Sequence, residues 1–195
     1  MYIAGLYSFN NGYEYLLENH QPLLREIFKV IESIDANNYK TKVSNEKTNK
    51  GMLLYNPPEL NTAFSLSFKS LNWNPYKIKC NYPTSYYTDD YHQKSANYTP
   101  TFRNAYREID FLKNRVGIEV QFGKYAFMAY DILGKMSILN KQYNLLDVGI
   151  EIVPVRKLTT EMSTGVSYFE QIVWDLKMRG ASNLDIPVLI IGIDA

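Results

Sequence analysis

The stretch Ile109–Lys124, IDFLKNRVGIEVQFGK, decides how the chain is read. Its second half, Val116 to Phe122 (VGIEVQF), has the β-branched enrichment of a strand. Successive strand side chains point to opposite faces, so Glu119 and Gln121 are expected to share one face while Val120 takes the other. Asp110 stands nine residues before Glu119. If it lies at the mouth of the preceding strand or turn, its carboxylate can meet that of Glu119. Two hard oxygen donors held together suit Mg²⁺, which keeps several waters and is completed by substrate phosphate oxygens. The main-chain carbonyl of Val120 can supply a further oxygen. Such a site lowers the pKa of a bound water and stabilises charge on a scissile phosphate. The bland alternative is that two carboxylates and a glutamine near a strand are exposed polar positions, since short spacings often match by accident. Against it stands the polar crowding in a segment otherwise headed for the core. Glu119 interrupts an apolar run, and burying its charge without a partner is costly.

Around this segment, strand and helix patterns alternate. Residues 125–139 (YAFMAYDILGKMSIL) fit a buried helix, weakened by Gly134, and residues 147–155 (DVGIEIVPV) read as a strand stopping near Pro154. Ser167 to Met178 reads as a helix, and residues 186–193 (IPVLIIGI) as a strand covered on both faces. Towards the N-terminus, apolar residues from Leu16 to Ile34 recur at three- and four-residue spacing. Pro22 suits a first helical turn, so two helices with a break near Asn19 and His20 are expected. Residues 37–51 (NNYKTKVSNEKTNKG) read as an exposed basic loop, and residues 59–71 as a further helix. Residues 72–100 are an irregular, tyrosine-rich span. No internal repeat and no strong linker is evident. The pattern predicts a single α/β domain over residues 1–195, a central mixed β-sheet flanked by α-helices.

At 195 residues, 46% hydrophobic and 21% charged, the chain has the composition of one ordered globular domain, which excludes general disorder. No run of apolar residues is long enough to span a membrane. The opening MYIAGLYSFNNGYEY lacks a basic n-region and a long apolar h-region, so no secretory signal is expected. One cysteine, Cys80, and two histidines leave no internal disulfide and little for zinc. A reducing, cytoplasmic setting is expected, with chemistry carried by carboxylates and a hard metal ion. The net charge of +1 conceals an asymmetry: Lys40 to Lys124 holds 13 Lys and Arg against 7 Asp and Glu, while the remainder holds 8 against 13. A basic surface suits a polyanion such as nucleic acid, although a merely solvated face carries the same pattern. Seventeen tyrosines suit interfaces, or reflect drift in an AT-rich genome.

Asp110, Glu119-Val120-Gln121 and the continuation Phe122-Gly123-Lys124-Tyr125 resemble the PD-(D/E)XK nucleases. They are similar in particular to type II restriction endonucleases of the BstYI and BglII group. The resemblance extends through Ser33-Ile34-Asp35-Ala36, Glu46-Lys47-Thr48, Leu54-Tyr55 and Leu60-Asn61. It continues through Asp147-Val148-Gly149, Glu161-Met162-Ser163, Ser167-Tyr168 and Ile191-Gly192-Ile193, in collinear order. The span from 72 to about 105 is unmatched. In the wider superfamily the last motif position is usually lysine, whereas this group carries glutamine, as here at Gln121. An amide has no useful pKa, so Gln121 is left to orient the attacking water. The base is then metal-bound hydroxide or a neighbouring phosphate oxygen.

The resemblance implies a restriction-endonuclease-like fold and Mg²⁺-dependent cleavage of double-stranded DNA at a palindrome with a GATC core. The site would be RGATCY or AGATCT, with 5′-phosphates and 5′ GATC overhangs. It assigns Asp110, Glu119 and Gln121 to catalysis, with Asp110, Glu119 and Val120 on the metal. Lys124 falls where a base-contacting lysine is implied, and an ammonium suits the O6 and N7 acceptors of guanine. Ser163 and Thr164 fall where base-reading hydroxyls are implied, with threonine at a position the group fills with serine. The bland alternatives are a solvated lysine and helix-capping hydroxyls. Lys42, Lys47 and Lys50 are candidates for phosphate contacts that set register. A palindrome implies two-fold symmetry, hence a homodimer. The competing functions are a repair or structure-specific nuclease of the same fold, and a non-catalytic DNA-binding dimer.

Overall fold

The structure is a computed structural model that describes residues 1–47 and 49–195. Thr48, quoted above with Glu46 and Lys47, lies outside the described residues. Strands β1 (Tyr2–Phe9), β4 (Asn74–Lys79), β5 (Tyr106–Lys113), β6 (Val116–Val120), β7 (Val148–Pro154) and β8 (Val188–Asp194) form one sheet. Their spatial order is β1-β8-β7-β6-β5-β4. The β6–β7 and β7–β8 pairs are parallel and the rest antiparallel, so the sheet is mixed as expected. Every residue of β6, β7 and β8 is buried, because helices cover both faces of the centre.

One face carries α1 (Gly12–Asn19), α2 (Gln21–Ser33) and α3 (Pro57–Ser70). The break between α1 and α2 falls at His20, with Pro22 in the first turn of α2, where its missing N–H costs nothing. The other face carries α8 (Phe169–Arg179) and a helical run through residues 125–141. That run is α5 (Tyr125–Tyr130), a π-helical turn (Asp131–Met136) and α6 (Ser137–Lys141). Short helices α4 (Asp89–Lys94) and α7 (Arg156–Thr159) complete the set. Among the described residues no helix is long and apolar enough to cross a membrane.

Three segments depart from the sequence reading. The first residues, left unassigned, form β1, because pairing with β8 from Tyr2↔Asp194 to Phe9↔Val188 satisfies the backbone that β8 would otherwise expose. The basic loop closes into a small hairpin, β2 (Lys42–Val43) against β3 (Leu53–Leu54), after a 3₁₀ turn at Ala36–Tyr39. The tyrosine-rich span contributes edge strand β4 and helix α4, with most of its rings exposed.

Two features set the geometry near the sequence motif. Residues Lys113 to Val116 make a two-residue hairpin turn in which Asn114 (φ 47°) and Arg115 (φ 66°) both adopt left-handed φ, the turn whose twist matches the strands. Arg115 clamps it in place, its Nε and Nη2 donating to Asp147 at 2.6 Å each. Across β4–β5, Asn74 faces Leu112 but Tyr76 faces Ile109, so β5 carries an extra residue in the Asp110–Phe111 stretch. The bulge breaks alternation: Phe111 packs with α3, Phe68 and Trp73, whereas Ile109 packs on the other face with Met128 and Ile132.

Gly12 opens α1 against the backbone of β8. A Cβ there would lie inside the main chain of Val188, which cannot step aside as a side-chain tip can. Gly12→Ala is expected to lower stability by about 1–3 kcal/mol, read as a reduced urea midpoint at unchanged m-value.

Candidate active site

The antiparallel β5–β6 ladder ends at Phe111↔Ile118. Its repeat would next pair Ile109 with Val120, but the Val120 N–H instead donates to Asp110 Oδ2 at 3.1 Å. The strands therefore part at Asp110, and a cleft opens there. Asn61, Ser65 and Lys69 of α3 line it opposite Glu108, Asp110 and Val120. The stacked rings of Phe64, Phe68 and Phe111 hold α3 at this distance, with Phe68 and Phe111 centroids 4.8 Å apart.

Glu119 projects from β6 toward the 125–141 run and is only 4% exposed. Its Oε1 accepts from Lys135 Nζ at 2.6 Å, and Lys135 also pairs with Asp131 Oδ1 at 2.8 Å. Burial, then the Asp110 charge, pushes the Glu119 carboxyl well above the usual range, while Lys135 opposes the shift. Burial pulls the Lys135 ammonium down, but Glu119 and Asp131 outweigh it and the net shift is upward. The Asp110 charge thus acts on the Glu119 carboxyl.

Gln121 lies past the end of β6, so the expected strand alternation does not set its direction. Its backbone N–H donates to Ile152 O at 2.9 Å. Its Oε1 accepts from Gly123 N–H at 2.7 Å and its Nε2 donates to Asp131 Oδ2 at 3.1 Å. The amide therefore has structural partners on both ends, which the sequence reading, with its water-orienting role, did not include.

The structure gathers most of the other candidates on one side. Lys124 is exposed and bridges to Val166 in an antiparallel pair. Ser163 Oγ accepts from Lys42 Nζ at 2.5 Å, and the Thr164 N–H donates to both carboxylate oxygens of Glu46, at 3.0 and 3.2 Å. Lys42 is thus a neighbour of Ser163, 121 residues away, as well as part of the basic hairpin. Lys47 and Lys50 are exposed on the same hairpin.

Asp131, Lys135 and Glu151 went unrecognised in the sequence. Glu151 of β7 sits in register beside Glu119, as Gly149 sits beside Gly117. The pentads Val116–Val120 (VGIEV) and Val148–Ile152 (VGIEI) are a short repeat laid side by side, and this was the signal available. Glu151 is fully buried, and among the described residues neither carboxylate oxygen has a hydrogen-bond partner. Burial first, then the charges of Asp131 and Glu119, pushes its carboxyl well above the ordinary range.

A divalent ion fits this donor set. Asp110 uses only Oδ2 on the backbone and Glu119 only Oε1 on Lys135, which leaves an oxygen of each for a cation. Val120, released from the β5 ladder, brings its carbonyl to the same cleft. Among the described residues no group of three or more His, Cys, Asp or Glu is arranged to hold a metal alone. Hard oxygen donors of this kind suit a divalent cation that takes one or two carboxylates and leaves its other positions to water and phosphate.

The family model described as restriction endonuclease BglII/BglIII matches residues 4–193. The structure is similar to that of the restriction endonuclease BglII complexed with a DNA 16-mer, at TM-score 0.71 and 21% identity over 98% of this chain and 76% of that one. It is also similar to free BglII, at TM-score 0.63 and 18% identity over 100% of this chain and 80% of that one. No curated protein matches. The chain belongs to the BglII/BglIII family of restriction endonucleases, and is a type II site-specific endonuclease with the expected PD-(D/E)XK fold.

Glu151 gives a pH signature. A carboxyl whose folded pKa lies above its unfolded value binds its proton more tightly in the folded chain, so stability falls as pH rises between those two values. Glu151→Gln keeps the shape and removes the titration. It is expected to raise Tm over wild type by an increment that grows as pH rises above the ordinary glutamate range. A flat increment in thermal unfolding would show that the folded chain carries Glu151 charged.

Proposed function

We propose that this endonuclease cuts double-stranded DNA, as a homodimer of one-domain subunits (residues 1–195), at a palindrome with a GATC core. The site is RGATCY or AGATCT, and the products carry 5′-phosphates and 5′ GATC overhangs. The observation that carries the reading is the parting of β5 and β6, which brings Asp110 to a cleft within electrostatic reach of Glu119. Family membership supports the reaction class.

In this reading Asp110, Glu119 and the Val120 carbonyl would hold Mg²⁺. When bound, the ion supplies charge for the developing phosphorane and acidifies a water. The Val120 N–H holds the Asp110 carboxylate at the cleft, and Lys135 holds that of Glu119. Gln121 holds the loop that follows β6 and retains one amide hydrogen with which to orient the attacking water. Lys124 reads the guanine of the core and the hydroxyls of Ser163 and Thr164 read neighbouring bases, an assignment supported by their placement around the Lys124–Val166 bridge. Lys42, Lys47 and Lys50 contact phosphates and set register.

Plasmid DNA with Mg²⁺ is expected to yield discrete fragments with GATC ends, and Ca²⁺ to support binding without cutting. Cutting confined to junctions or damaged duplexes would make the enzyme a structure-specific nuclease, and binding with no cutting would make it a non-catalytic dimer. Asp110→Asn should abolish cleavage and spare binding. Lys124→Ala should lose about 1–3 kcal/mol of discrimination at the guanine, measured with single-base-substituted duplexes. Equal loss on every duplex would make Lys124 a phosphate contact.

A further inference from the structure

The sequence motif accounts for Glu119 and Gln121 separately, yet the structure joins them through two residues the motif does not contain. Asp131 and Lys135 lie four apart on the π-helical turn and face the sheet, 4% and 9% exposed. Lys135 Nζ donates to Glu119 Oε1 at 2.6 Å and pairs with Asp131 Oδ1 at 2.8 Å. Asp131 Oδ2 in turn accepts from Gln121 Nε2 at 3.1 Å. Gln121 Oε1 accepts from Gly123 N–H at 2.7 Å. The Gly123 carbonyl accepts from both the N–H and the Oγ of Ser167, at 2.8 and 2.9 Å. A path of hydrogen bonds, joined by one ion pair between Asp131 and Lys135, runs from the 163–167 loop, beside Lys124, to the carboxylate of Glu119.

Stability does not demand such a path. A buried ion pair is commonly no better than apolar side chains of like volume, and the helix around this one is apolar, with Met128, Ile132, Met136 and Leu139 buried beside it. A connected polar network does supply rigidity and one defined arrangement. We propose that the Asp131–Lys135 pair is a positioning device that couples the base-reading segment at Lys124 and residues 163–167 to the Glu119 carboxylate. When Lys124 and the 163–167 loop seat on the correct bases, Gly123 and Gln121 are fixed. Asp131 and Lys135 then hold the Glu119 carboxylate in one position. A wrong base displaces the first link and with it the last.

This inference rests on the proposed cleavage of GATC-core duplexes, and the experiment separates the two. Wild type, Asp131→Asn, Lys135→Arg and the double variant Asp131→Asn/Lys135→Met are compared. The double variant removes the pair and leaves the Glu119 carboxyl without its ammonium, so thermal unfolding checks that each variant keeps its fold. Each is assayed with Mg²⁺ on a cognate duplex and on duplexes substituted at one base of the core, with duplex affinity in Ca²⁺ and thermal unfolding measured alongside. The double variant is expected to fold and to bind within about threefold of wild type. It should cut the cognate duplex about 100-fold more slowly, the scale of a small misplacement of a reacting group. Its ratio of cognate to substituted cleavage should collapse toward one, and Asp131→Asn should move in the same direction. Lys135→Arg, which keeps the charge and a donor, should recover part of both rate and ratio. Cognate and substituted rates that fall by the same factor, leaving the ratio as in wild type, would overturn the coupling. So would an Arg variant no better than the double variant. Wild type that cuts no duplex at all would overturn the reading beneath it as well.

Discussion

One ammonium group, that of Lys135, stands among Glu119, Asp131 and the nearby Asp110 and Glu151 in the dry interior between the sheet and the 125–141 helical run. Burial raises the cost of every negative charge there, and Lys135 touches only two of the acids. Glu119 and Asp131 receive it directly, whereas Glu151, one strand over, has nothing and is driven toward its neutral form. The ammonium is therefore bonded to one carboxylate of the repeated VGIE pair and not to the other. It also fixes the approach of the helix to the sheet, since Asp131 and Lys135 both descend from the same π-helical turn.

The second constraint is the point where β5 leaves β6. Inside the ladder a strand's N–H and C=O are spent on its neighbour. Past Phe111↔Ile118 they are not, and the bulge that accompanies the separation turns Asp110 out of the regular alternation. A backbone carbonyl and a carboxylate are thereby released at one spot on a rigid sheet, which suits a hard cation better than a mobile loop would. The hairpin turn pinned by Arg115 to Asp147, and α3 held by the Phe64, Phe68 and Phe111 rings, keep the two walls of that opening apart.

The strands 148–154 and 188–194 and the helices of the N-terminal third were legible because each reports its own burial through local periodicity. Asp110 and Glu119 were legible as residue types at a spacing. Other parts were hidden for physical reasons. β1 shows little alternation in its own right, and its pairing partner lies at the far end of the chain. Asp131 and Lys135, four apart in a helix, look like an ordinary exposed ion pair until the helix is docked. Gln121 reads as a strand residue, but β6 stops one position earlier.

The sequence by itself determined the alternation of strands and helices, the mixed sheet and the presence of acidic residues where an apolar run was due, because hydrophobic patterning is a property of neighbours along the chain. Only the tertiary structure decided which charges meet. The Lys135 ammonium on Glu119, Lys42 on Ser163 and the unpartnered Glu151 beside Glu119 all depend on distance through space and on the water excluded between. Neither quantity is written in the order of residues, so the chemistry of the cleft had to wait for the fold.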